Sequence, residues 1–125
     1  MTTKSSKQVI NVLIKIVVKK YKKEEFLDSM HMYMAEIQSQ PGYLSYNLFQ
    51  NSDEENTYLM VGEWESAKAM EKHFQTQEYE LALGASKVLC NTFEIETTEV
   101  LQIGNIDWAR RQIRSRKKTG ESTNQ

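Results

Sequence analysis

The chain has one cysteine, one proline and no apolar run of membrane-spanning length. Cys90 cannot form an internal disulfide, and no Cys-x-x-Cys or Cys/His cluster accompanies it. Neither a disulfide scaffold nor a zinc site is expected, and a reducing, cytoplasmic setting fits this usage. A membrane helix needs about 20 consecutive apolar residues, so no membrane partner is expected. The opening MTTKSSKQ lacks the apolar stretch of a signal peptide and reads as a flexible N-terminus over residues 1–8. Charge of one sign is also scarce. A net charge of −1 gives no overall pull toward nucleic acid or anionic lipid. No phosphate loop, dinucleotide fingerprint, metal-ligand spacing or Gly-x-Ser-x-Gly occurs, so no cofactor and no metal are expected.

What is present suits one domain with one core. At 125 residues the chain can bury about two thirds of its unfolded surface. Residues 9–18, VINVLIKIVV, are rich in β-branched side chains and predict a strand. Ile10, Val12, Ile14, Ile16 and Val18 share a fully apolar face, while Val9, Asn11, Leu13, Lys15 and Val17 share a mixed one. The period then changes. Phe26, Met30, Tyr33, Met34 and Ile37 recur at helical spacing, which predicts a helix over about 22–38. Pro41 ends it, and Gly42 supplies any positive φ the turn requires. Strands are expected over 43–50 and 57–64 around the polar loop NSDEEN, with Ser66 and Thr76 as N-caps of two further helical segments. A last strand is expected over 92–103.

Strand, helix, strand, strand, broken helix, strand is the order of a split βαβ, an α+β ferredoxin-like subunit. The domain is expected over 9–103. Helices would cover one sheet face, and the mixed face of the first strand would need a second copy, so a homodimer is expected. A basic tail follows over 104–125, with Arg110, Arg111, Arg114, Arg116, Lys117 and Lys118 against Asp107 and Glu121. It offers a contact for a nucleic acid or a partner, but no interleaved aromatics beyond Trp108 support nucleic-acid binding, which is not expected.

One stretch concentrates candidate chemistry. TYLMVGEW ends a strand at Glu63-Trp64, and nine residues later comes His73. Histidine titrates near neutrality and can accept a proton, and an indole can wall an aromatic pocket. Spacing alone favours a packed His73 and a core Trp64. Glu63 either orients a base or faces solvent. Tyr46, Tyr58, Tyr79 and Met60 either line a cavity or simply pack, and His31 reads as a surface residue.

With Pro41-Gly42-Tyr43 before the second strand, Glu63-Trp64-Glu65-Ser66 after the third, then Ala69, His73, Phe74-Gln75-Thr76 and Tyr79, residues 9–101 resemble the antibiotic biosynthesis monooxygenase family. Within it, they look most like the quinol monooxygenases. The resemblance implies a dimeric α/β barrel of two ferredoxin-like subunits, with a pocket between sheet and helices. It implies O2 and a small aromatic, quinol-like or phenolic substrate, with no metal or flavin. His73 would be the catalytic base, and Trp64, Glu63, Tyr46 and Tyr79 would bind substrate. Gln77-Glu78 stand where the family often has Pro-His, so a second pocket histidine is missing. Leu81, Ala82, Leu83 and Gly84 leave the haem-degrading histidine missing too. An isomerase on the same scaffold and a non-catalytic dimeric binding domain are the alternatives.

Overall fold

The computed structural model describes residues 8–113. Strand β1 (Ile10–Val18) leads into helix α1 (Lys23–Glu36) and a 3-10 turn (Ile37–Ser39). Strands β2 (Tyr43–Gln50) and β3 (Thr57–Trp64) form a hairpin, followed by helices α2 (Ala67–His73) and α3 (Gln77–Leu89) and strand β4 (Cys90–Glu99). The sheet runs in the order β2-β3-β1-β4, antiparallel throughout. This is the expected ferredoxin-like α+β fold. The single chain forms an open sheet, however, and not a closed barrel.

The alternation of β1 divides the molecule. Ile10, Val12, Ile14, Ile16 and Val18 are all buried beneath the helices. Phe26, Met30, Tyr33 and Ile37 of the α1 stripe are buried against them, and Met34 packs at the margin. Removal of this apolar surface from water is the main force holding the helical layer on the sheet. Tyr58, Met60 and Trp64 of β3 and Tyr46 of β2 complete the core.

Local signals fix the turns. Gly42 has φ +84, and a Cβ there would lie 2.3 Å from the Ala69 Cβ, so only glycine suits both the backbone and the close approach of α2. Its carbonyl accepts from the Glu65 N–H at 2.9 Å, which ties the start of β2 to the end of β3. Ser66 and Thr76 cap α2 and α3 as expected, accepting from the Ala69 and Tyr79 N–H groups at 3.1 and 3.2 Å.

The last strand differs from expectation at both ends. It begins at Cys90, because α3 stops at Leu89 and Cys90 pairs with Val18 across a register shift. It ends at Glu99 opposite Ile10, where β1 runs out, so 100–103 have no ladder to join beyond the Val100 N–H to Val9 carbonyl bond. Residues 106–113 then form a short helix. Arg114, Arg116, Lys117 and Lys118 of the basic tail, and most of the expected flexible N-terminus, lie outside the described residues.

The second sheet face carries Leu13, Val17, Leu59 and Val61 beside Asn11, Lys15 and Glu63, with Phe49 more than half exposed. No helix of the described chain covers it.

Gly62 is a point of close packing on the covered face. A Cβ there would lie 2.3 Å from the Tyr46 ring. Gly62→Ala is expected to cost about 2 kcal/mol through overpacking, read as a lower urea midpoint at constant slope. An unchanged midpoint would show that the ring moves aside freely.

Candidate functional site

Trp64 falls on the helix side of β3 by the same alternation that places Tyr58, Met60 and Gly62, and it is fully buried. Its Nε1–H donates to the Tyr46 hydroxyl at 2.8 Å. Glycine opposite Tyr46 leaves the space for that ring. Burial pushes the Tyr46 phenol up to about 12, and the bond from Trp64 partly opposes this by favouring the phenolate.

His73 closes α2 with its imidazole stacked on the Trp64 indole, centroids 4.6 Å apart and 26° from parallel. The ring is 1% exposed. Nδ1 lies 2.8 Å from the Gln40 Oε1 and Nε2 lies 2.5 Å from the Tyr33 hydroxyl. The Gln40 carbonyl oxygen can only accept, so it assigns the proton to Nδ1. Nε2 then accepts from the Tyr33 O–H. Burial lowers the His73 pKa to about 4, with the Glu78 carboxylate pulling the other way. Burial likewise raises Tyr33 above the usual phenol range, with Tyr46 and Tyr79 adding to the effect. At neutral pH the pair is therefore an uncharged imidazole and an uncharged phenol. Tyr79, in the first turn of α3, sets its ring 5.3 Å from the imidazole, and burial raises its pKa as well.

Four of the five residues expected at the site come together: His73, Trp64, Tyr46 and Tyr79. Glu63 does not join them. It points to the opposite sheet face and accepts from the Ser45 hydroxyl at 2.9 Å. Two residues at the centre were missed. Tyr33 reads as one member of the α1 apolar stripe, and its signal is the hydroxyl, since a tyrosine turned inward needs a polar partner. Gln40 carries no signal beyond its place before Pro41.

Between the sheet, α1 and α3 lies a small apolar cavity bordered by Met30, Tyr33, Met60, Tyr79 and Ser86, among others. As the side chains stand, it has room for about one water. Tyr33 belongs to its wall, and His73 does not. A groove on the outer seam of α1 and α3 shares Tyr33 and Ala82 with it. The arrangement can accept a proton relayed from the cavity through Tyr33 to Nε2.

The profile of the antibiotic biosynthesis monooxygenase family matches residues 9–84. The chain belongs to that family. Among members and relatives, it is 30% identical to Putative monooxygenase YcnE of Bacillus subtilis, over 68% of this chain and 90% of that one. It is 36% identical to an uncharacterized protein of Synechocystis over 61 residues, 49% of this chain and 42% of that one. The chain thus spans less than half the length of the Synechocystis relative. In structure it is similar to SnoaB of Streptomyces nogalater, a cofactor-independent oxygenase, with a TM-score of 0.70 at 19% identity over 76% of this chain and 95% of that one. For this antibiotic biosynthesis monooxygenase domain, membership supports a monooxygenase-like function.

The depressed His73 pKa has a sign that can be checked. The folded state holds the imidazole neutral down to about 4, while the unfolded chain protonates it near 6.5. Stability from this group is complete above pH 6.5 and is lost as pH falls from 6.5 to 4, by about 3 kcal/mol. Urea unfolding across that window is expected to show the slope in wild type and to lose it in His73→Gln. An equal slope in both proteins would place the titration elsewhere.

Proposed function

We propose that this protein is a cofactor-independent monooxygenase that oxidises a quinol-like or phenolic aromatic with O2 in the cavity beside Tyr33. The observation that carries the reading is the Tyr33–His73 pair, a phenol on the cavity wall whose hydroxyl is held by a neutral, buried imidazole. A quinol supplies its own electrons once deprotonated. Its hydroxyl proton passes to the Tyr33 oxygen as the Tyr33 proton passes to Nε2. The resulting imidazolium is disfavoured by burial, and the new phenolate close by offsets that through charge attraction. The substrate then reduces O2 by four electrons. Its ring gains one oxygen atom and loses two hydrogens, and the second oxygen leaves as water. Tyr79 walls the cavity, Trp64 backs the imidazole, and Tyr46 holds the Trp64 indole from behind that wall.

The expected base thus works one residue away from the substrate, with Tyr33 touching it. Oxygen uptake with a panel of hydroquinones tests this. Tyr33→Phe and His73→Ala are each expected to lower kcat by about 100-fold, the scale of a lost general base. Equal turnover in wild type and His73→Ala would reject the role. The acid limb of kcat/KM is expected near pH 4, where His73 titrates, and not near 6.5.

The functional unit is a homodimer joined through the uncovered sheet face, whose Leu13, Val17, Leu59 and Val61 need a partner surface. Val61→Lys is expected to turn a dimer into a monomer in sedimentation equilibrium, and a Val61→Lys protein that stays dimeric would reject this face.

A non-catalytic dimeric binding domain is the second reading. It draws support from the packing of His73, which is buried among the Trp64 and Tyr79 rings and does not line the cavity beside Tyr33. Absence of oxygen uptake with every quinol would favour it. An isomerase acting on a small polar ligand loses support, because no charged side chain borders the cavity among the described residues.

A further inference from the structure

Ser86 lies on α3 and is 3% exposed, and its Oγ has no hydrogen-bond partner among the described residues. A buried hydroxyl without a partner destabilises the fold, and of the three described residues with such a buried polar atom, Asn11, Tyr58 and Ser86, only Ser86 borders the cavity beside Tyr33. A helical serine ordinarily bonds back to a carbonyl one turn earlier, and Ser86 does not. It stands instead on the wall of the cavity that also carries Tyr33 and Tyr79. Apart from these three residues the wall is apolar, including Ile14, Met30, Met60 and Phe93.

An apolar chamber with few polar groups orients its ligand through those groups. Tyr33 is already engaged with His73, so its hydroxyl serves the reacting oxygen. We infer that Ser86 holds a second oxygen on the same aromatic ring, which makes it the residue that selects a dioxygenated substrate over a simple phenol. The inference rests on the proposed placement of the substrate beside Tyr33. Entry of a ring requires the wall to yield. Met30 and Met60 are flexible thioethers that repack readily. Helix α3 buries only Ser86 and Leu89 outright and carries Gly84 in its middle with open space around it. It is the lightly anchored side of the chamber.

The test uses the full chain under argon, so that binding is read without turnover. Hydroquinone and phenol are titrated by NMR into wild type and Ser86→Ala, and both proteins are melted without ligand. Wild type is expected to prefer hydroquinone over phenol by about tenfold, the scale of one hydrogen bond. Ser86→Ala is expected to bind phenol unchanged, to lose the preference, and to melt higher than wild type because the orphan hydroxyl is gone. A preference retained in Ser86→Ala overturns the inference, as does failure of both probes to bind. A lower melting point in Ser86→Ala also overturns it, since the hydroxyl would then have a structural partner. Oxygen uptake separates the two readings. A Ser86-dependent preference without turnover rejects the oxygenase and keeps the inference, and turnover without the preference does the reverse.

Discussion

A buried imidazole must have both ring nitrogens answered, and that requirement organises the site. Two separate parts of the chain meet it, and a third packs the ring face. Helix α1 brings the Tyr33 hydroxyl to Nε2, the turn before Pro41 brings Gln40 to Nδ1, and β3 brings the Trp64 indole against the ring face. Each depends on a local device. The stripe of α1 sets the rotation of Tyr33, the glycine at 42 sets the path of the Gln40 turn against α2, and the pleat of β3 sets the side on which Trp64 emerges. Loss of the Tyr33 hydroxyl or the Gln40 amide leaves a ring nitrogen unpaired in an apolar interior, which costs more than the bond itself is worth.

The same constraint explains how the molecule combines rigidity with chemistry. Stacked, tilted and edge-on rings surround His73, from Trp64, Tyr33, Tyr46, Phe74 and Tyr79. This shell excludes water and keeps the imidazole neutral, and it also removes His73 from direct contact with a ligand. In the proposed mechanism the Tyr33 phenol on the chamber wall restores the connection. The layer beneath is as firm as a core, while the α3 side of the chamber is held by few buried groups.

The fold was legible because its signals are local and repeated. Two-residue alternation in 9–18 and three-to-four spacing in α1 point to the same core face, and Ser66 and Thr76 mark their helices by cap chemistry. The ends of the last strand were misplaced because its limits come from its partner: β1 begins at Ile10, opposite Glu99, and no residue in 100–103 announces that. The site was legible in part for a similar reason. Trp64 and His73 stand out as rare residue types at an element boundary. Glu63 was assigned with them by adjacency, yet neighbouring strand residues face opposite sides, and its partner is Ser45. Tyr33 stayed hidden inside a hydrophobic pattern that it fits by shape, and Gln40 is joined to His73 only by the folded path of the chain.

The central position of β1 carries a consequence for synthesis. The first strand made pairs on one side with β3 and on the other with β4, the last of the sheet. Once residue 64 has left the ribosome, β1, β2 and β3 can zip together under α1, but one edge of the most apolar strand stays bare. It remains so until residues 90–99 emerge. A nascent chain in that interval offers an unpaired edge to any neighbour, and long-range closure of this kind is slow relative to helix and hairpin formation. The vulnerable period in the life of this protein thus falls between the third strand and the fourth, before the native sheet exists.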